Sequence, residues 1–70
     1  MDAKIKELTG IAAAVDGHCQ GCFAYHYSEA RKLNIDIKDI KEVVEFARLI
    51  RKSGDSSTDE FVNKKIELGK

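Results

Sequence analysis

The chain has 70 residues, 43% hydrophobic and 34% charged, with five Gly and no Pro, a composition typical of one small globular domain and not of a disordered or fibrous protein. Twelve Lys and Arg balance twelve Asp and Glu, so no surplus charge favours binding to nucleic acid. So small a core supplies only about 3 to 5 kcal/mol, and we expect oligomerisation to supplement it, since a bridge between Cys19 and Cys22 would restrict the unfolded chain little.

The N-terminal residues indicate both a cellular location and a first helix. Residues 1–7 are charged and lack the apolar run of a signal peptide, and no segment approaches the roughly 20 apolar residues of a membrane span, so we expect a cytoplasmic protein that binds no membrane. Apolar spacings of three and four predict a helix over residues 2–15, with Asp2 as its N-cap. The apolar positions are Ile5, Leu8, Ile11, Ala12 and Val15. Residues 16–18 are expected to break this helix, with His18 in the turn.

Two further helices follow. Nothing interrupts a second helix from Cys19 or Gln20 to Leu33, and Asn34, which tolerates the left-handed conformation, stands where a C-cap is expected. The third helix is predicted to open with Asp36 as its N-cap. Its apolar stripe consists of Ile40, Val43, Val44, Ala47 and Ile50.

The apolar surface of the third helix is wider than neighbouring helices in this small domain can cover, because Phe46 and Leu49 lie beside its stripe. We expect this second face to meet another subunit; the alternative is a monomer in which the last helix folds back over it. After a loop over 53–56, the residues 57–60 predict a capping box. The last helix carries Phe61, Val62, Ile66 and Leu68. The predicted fold is all-α, an oligomeric small bundle of three to four helices, with residues 1–70 as a single domain.

Cys19, Cys22 and His26 lie at positions i, i+3 and i+7, on one face of the second helix. Two thiols one turn apart can close a disulfide with little backbone movement, and an imidazole one turn after Cys22 can accept its proton or stabilise its thiolate. The start of the helix favours a negative charge on Cys19 instead. Because the two effects favour different sulfurs, they do not decide which cysteine attacks first.

Glu7 is the candidate partner of His26. If the first two helices form an antiparallel hairpin about Gly17, residues equidistant from Gly17 lie level, so Glu7 comes opposite Tyr27 with His26 alongside. A buried carboxylate needs such a partner, and it would orient the imidazole. Small residues are expected to let the second helix approach this region closely. They are Ala3, Gly10 and Ala14.

Glu7, then eleven residues, then Cys19-Gln20-Gly21-Cys22, then three residues and His26 resembles the signature of alkylhydroperoxidase D-like proteins in the carboxymuconolactone decarboxylase superfamily. The flanking residues follow the family's helix order over roughly residues 3 to 52. Gly21 stands where many full-length members carry a His. The resemblance implies an all-helical subunit that assembles into trimers or hexamers, has its site near a subunit interface, and reduces organic or hydrogen peroxides.

The resemblance also implies a role for each site residue. Cys22 would form the sulfenic acid, and Cys19 would donate a proton and then resolve it as a disulfide. His26 and Glu7 would form the proton relay, and no cofactor is expected. The implied partners are a small peroxide or disulfide substrate and a thiol reductant, for which lipoyl proteins, thioredoxin-like proteins and small thiols are all compatible. Decarboxylases of the superfamily generally lack the cysteine pair, so their chemistry is not expected.

Two other functions stay open. Cys19, Cys22 and His26, with His18, offer ligands for a metal, although one short helix encloses a tetrahedral ion poorly and structural zinc usually gathers two ligand pairs across a loop. The cysteines could instead only pack, in an oligomeric interaction protein, since free Cys behaves as a small hydrophobe. Such packing has no use for His26. Haem attachment is excluded because Phe23 occupies the place of the required His.

Overall fold

The computed structural model describes residues 1–54 and 58–69, and these form four α-helices with no strand among them. The helices are α1 (Ala3–Asp16), α2 (Gln20–Lys32), α3 (Ile37–Ser53) and α4 (Thr58–Leu68). The predicted all-α class and helix order are confirmed. Three predicted boundaries were wrong by one residue. Asp16, expected to break the first helix, is the last residue of α1, and Leu33, expected within the second helix, is the C-cap of α2. Ser53, expected in a loop, is the last residue of α3. The rest of that loop and the first residue of the predicted capping box, residues 55–57, lie outside the described residues, as does the side chain of Leu68.

The two aspartates predicted as N-caps both begin helices. The Asp2 carboxylate accepts hydrogen bonds from the backbone N–H groups of Lys4 at 2.7 Å and Ile5 at 3.4 Å. The Asp36 carboxylate accepts one from the N–H of Lys38 at 2.9 Å. Each bond satisfies a donor that has no partner within the first turn of its helix, which is worth about 1 kcal/mol relative to Ala.

α1 and α2 end in the same way, with a residue in the left-handed region. Asn34 has φ 61° after α2, as predicted, and the N–H of Ile35 reaches back to the Ala30 carbonyl at 3.1 Å. After α1 the left-handed residue is His18, with φ 54°, whereas Gly17 has φ −85°. The His18 position therefore carries the strained backbone that a glycine would adopt at lower cost, and it directs the chain into Cys19.

α1 is the central helix, and α2 and α3 both pack against it. α2 returns antiparallel to α1, whereas α3 runs parallel to it: Lys4 lies 3.8 Å from Asp39 near the two helix starts, and Arg51 Nη1 donates to the Val15 carbonyl at 3.0 Å near their ends. Ile11 is fully buried between them. The core around it consists of Ala30, Ile35 and Ile40, with Leu8, Phe23, Tyr27, Val43 and Val44 packed alongside.

Two predicted apolar stripes are only partly covered. Ile40 and Ala47 of α3 are buried, but Ile50 is 49% exposed, because α3 has only α1 beside it among the described helices and one neighbour covers a narrow stripe. On α1 the exception is Ile5, 54% exposed in the first turn. Phe46 and Leu49 lie outside the core, as expected from their positions beside the stripe.

α4 does not fold back over α3. Within the described residues, it packs against none of the other three helices, and Phe61, Val62 and Ile66 are exposed. The monomeric alternative, in which the last helix covers Phe46 and Leu49, is therefore not what these residues adopt. No described helix is long and apolar enough to cross a lipid bilayer.

We expect Ile11→Ala to lower the free energy of unfolding by about 2 to 5 kcal/mol, because it opens a cavity at the centre of the core that α1, α2 and α3 form. Ile5→Ala is the matched control on the same helix, and its half-exposed side chain should cost less than about 1 kcal/mol. Urea unfolding followed by circular dichroism measures both values. Equal losses for the two variants would contradict α1 as the central helix.

Candidate redox site

Cys19 is the N-cap of α2, one residue outside the helix. It has extended backbone angles, its Sγ accepts a hydrogen bond from the N–H of Cys22 at 3.2 Å, and its carbonyl accepts the N–H of Phe23 at 3.0 Å. Its own N–H donates to the Ala14 carbonyl at 3.0 Å, which ties it to the end of α1. The turn between the helices and the first turn of α2 thus fix the position of this cysteine.

Cys19 and Cys22 are joined by a disulfide, with a Cα–Cα distance of 5.3 Å. The bridge predicted from the i, i+3 spacing is therefore present. Cys22 is exposed and Cys19 is half-buried, so the sulfur pair lies at the surface and not in the core. The positive end of the α2 macrodipole is at the same place, which favours negative charge on a thiolate formed there.

Glu7 and His26 meet across α1 and α2, as the predicted hairpin register requires. His26 Nδ1 lies 2.7 Å from Glu7 Oε1. Glu7 is only 8% exposed and is the one buried charged residue in the described part of the chain. An ionised carboxylate can only accept hydrogen bonds, so with Glu7 ionised Nδ1 is the donor, and Nε2 is the ring nitrogen that Glu7 does not engage.

Gly10 makes the approach of His26 possible. A Cβ built on Gly10 would lie 2.6–2.7 Å from three ring atoms of His26, closer than any real contact permits. Of the other small residues predicted to line this approach, Ala14 is buried, but Ala3 is exposed in the first turn and contributes nothing to it. The imidazole also packs edge-to-face with the ring of Tyr25, with centroids 5.1 Å apart. Sequence reasoning missed Tyr25, whose adjacency to His26 was the only signal.

One member of each pair, Cys22 and His26, lies in α2. His26 follows Cys22 by one turn of α2, a spacing at which side chains lie on the same face with Cβ atoms about 5 to 6 Å apart. Helix periodicity alone therefore places Cys22 and His26 on one face of α2, and their joint role stays a prediction. The fourth candidate ligand, His18, lies in the turn before Cys19.

A cleft of about 490 Å³ opens beside the disulfide, where the end of α1, the start of α2 and the last turns of α3 meet. Cys19 lines it and Cys22 does not; His18, Phe23 and Val44 also contribute to its wall. Two charged residues of α3, Arg48 and Arg51, also line the cleft. Sequence reasoning missed both arginines, although Val44, Arg48 and Arg51 lie at i, i+4 and i+7 and so share one face of α3.

Within residues 1–54 and 58–69, no group of three or more His, Cys, Asp and Glu side chains is placed to hold a metal ion. No family model, curated protein or solved structure matches the chain. The resemblance to alkylhydroperoxidase D-like proteins stays a prediction that depends on Glu7, Cys19, Cys22 and His26.

We expect Gly10→Ala to lower the free energy of unfolding by about 1 to 3 kcal/mol, because the new methyl group displaces the His26 ring from Glu7. Gly21→Ala is the control: a Cβ there meets no atom within 4 Å, and the better helix former should raise stability by up to about 1 kcal/mol. Urea unfolding gives both values, and the NMR shifts of the His26 ring report its displacement. A neutral Gly10→Ala with unchanged ring shifts would contradict the close approach.

Proposed function

We propose that the chain is a thiol-dependent oxidoreductase that reduces peroxides, or disulfides, through Cys19 and Cys22. The observation that carries the proposal is the surface disulfide at the start of α2, on the same helix face as an imidazole bonded to a buried carboxylate. The motif resemblance to alkylhydroperoxidase D-like proteins supports the same function. Neither cysteine is buried, which favours redox chemistry over the alternative of cysteines that only pack.

The reaction with a hydroperoxide balances with the residues of the site. The Cys22 thiolate attacks the terminal oxygen of ROOH, the O–O bond breaks, and with one proton the products are Cys22 sulfenic acid and ROH. The Cys19 thiol then attacks the sulfenic sulfur, the S–O bond breaks, and water leaves as the disulfide forms. His26 Nε2 takes the thiol proton of Cys22 in the first step and can return it to the departing oxygen, while Glu7 holds the ring through Nδ1.

Cys22 is assigned as the attacking sulfur on the resemblance, and two features of the site support that order. Cys22 is the more exposed residue of the two and is one helical turn from His26. The macrodipole favours Cys19 as the thiolate instead, since Cys19 is the N-cap. Separate variants of the two cysteines distinguish the two orders.

The proposal extends to the assembly and the surroundings. A trimer or hexamer would cover the exposed apolar side chains of α3 and α4, including Phe46, Leu49 and Phe61. The cytoplasm would supply the thiols that return the disulfide to two cysteines, because its redox couples keep thiols reduced. The interaction-protein alternative shares the assembly but requires no redox activity, so the cysteine variants separate it from the enzyme.

We expect Cys22→Ser to abolish peroxide consumption, and Cys19→Ser to still reach a sulfenic acid that dimedone traps on Cys22. Consumption is measured with dithiothreitol as reductant, and adducts are located by mass spectrometry. Trapping on Cys19 in Cys22→Ser, with none on Cys22 in Cys19→Ser, would reverse the order of attack. If wild type consumes no peroxide above the rate of the double Cys→Ser variant, the peroxidase function is wrong.

Glu7→Gln should lower peroxide turnover by about 10²- to 10⁴-fold, because the amide still contacts His26 but no longer carries the charge that orients and stabilises the imidazolium. Circular dichroism should show an unchanged fold. Glu42→Gln, at an exposed position on α3, is the matched control and should keep full turnover. Full activity of Glu7→Gln would mean that the buried carboxylate has only a structural role.

A further inference from the structure

The cleft beside the disulfide differs from the rest of the surface in charge. Its polar wall contains the guanidinium groups of Arg48 and Arg51 and the imidazole of His18, and among the described residues no carboxylate lines it. The chain as a whole has no net charge, so this local excess is not a consequence of composition. Such a wall favours an anionic ligand, because low-dielectric clefts of one sign concentrate ions of the other.

The two arginines differ in how free they are to bind. Arg51 donates one N–H to the carbonyl of Val15, which also lines the cleft, at 3.0 Å, and four of the five donors of its guanidinium remain for further bonds. Arg48 has one ion pair, to Glu45 at 3.6 Å, and both of these side chains are more than half exposed. A surface pair of this kind contributes little energy, so an incoming anion can replace Glu45.

We propose that this cleft binds a small anionic thiol, a carboxylate-bearing one in the simplest case, and presents it to Cys19 Sγ as the reductant of the disulfide. The proposal deepens the function proposed above and rests on it. A volume of about 490 Å³ suits a small organic molecule, for which sites of about 300 to 1,000 Å³ are usual. Phe23 and Val44 give the carbon chain an apolar wall, and the arginines bind the carboxylate.

The exchange proceeds in two balanced steps. The ligand thiolate attacks Cys19 Sγ, the only sulfur that lines the cleft, the Cys19–Cys22 bond breaks, and Cys22 leaves as a thiolate. A second thiolate attacks the ligand sulfur of the mixed disulfide, which releases the ligand disulfide and the Cys19 thiolate. Two ligand thiols are oxidised, the protein disulfide gains two electrons, and the two protons go to Cys19 and Cys22.

The test compares three thiols of similar size and different charge: mercaptoacetate, 2-mercaptoethanol and cysteamine. The rate at which each reduces the oxidised protein is divided by its rate with 2,2′-dipyridyl disulfide, a neutral reference that shares no thiol with the three probes, which removes differences in intrinsic reactivity. We expect the normalised rate for mercaptoacetate to exceed that for cysteamine by on the order of tenfold at low salt, and the ratio to fall toward one in 1 M NaCl.

Three variants locate the charge that matters. Arg48→Gln should lower the mercaptoacetate preference several-fold, and Glu45→Gln should raise it, because it frees Arg48. Lys38→Gln, in the first turn of α3 and about 15 Å along the helix from Arg48, is the matched control and should leave the preference unchanged. Arg51 is kept because it also joins α3 to the end of α1.

Equal normalised rates for the three thiols, or an equal loss in Lys38→Gln and Arg48→Gln, would overturn the proposal. Mapping the mixed disulfide gives a second test. After iodoacetamide quenching, mass spectrometry should find the ligand thiol on Cys19 and the alkyl group on Cys22, and the reverse placement would contradict attack from the cleft.

Peroxide consumption with neutral dithiothreitol separates the two proposals. If it persists without a charge preference, only the anionic reductant is wrong; if it is absent while the preference holds, only the peroxidase is wrong.

Discussion

The hydrogen bond between Glu7 and His26 is the interaction on which the rest of the site depends. A carboxylate with only 8% exposure is costly without a partner, and His26 Nδ1 supplies that partner at 2.7 Å. The same bond fixes the register of α2 on α1, and thereby the position of the cysteine face. The His26 ring can approach α1 only because Gly10 has no side chain. Gly10 is therefore as important to this site as the charged residues.

Much of this arrangement follows from the sequence because it is local or depends on helix geometry alone. Asp2 and Asp36 were predictable as N-caps because each is a short side chain with an acceptor oxygen, placed just before a helical pattern of apolar residues, where it can bond the free N–H groups of the first turn. The meeting of Glu7 and His26 follows from counting equal distances on either side of a tight turn. The disulfide follows from a three-residue spacing, at which two sulfurs are already within reach. Each of these inferences needs only the chain between the two residues concerned.

The features that the sequence did not predict depend on how many helices pack against a given helix. The spacing of apolar residues does not contain that information. Ile5 and Ile50 continue apolar stripes, yet both are about half exposed because the partner helix covers only part of the stripe. The cleft beside the disulfide forms because α3 runs parallel to α1, which brings Arg48 and Arg51 beside Cys19. No sequence motif indicates that direction. The left-handed residue after α1 is His18, two residues beyond the end of the helix, and not the neighbouring glycine, Gly17. The catalytic roles remain predictions of the motif.

The backbone bond from the Cys19 N–H to the Ala14 carbonyl has a consequence for what reduction of the disulfide would change. This bond and the bond from the Phe23 N–H to the Cys19 carbonyl involve no sulfur, so breaking the disulfide leaves them intact. The oxidised and reduced forms can then share one backbone and differ in little more than the χ angles of two side chains. We therefore expect little backbone reorganisation when the disulfide is reduced, and a loss of folding stability no larger than the small loop entropy that so short a bridge removes from the unfolded chain.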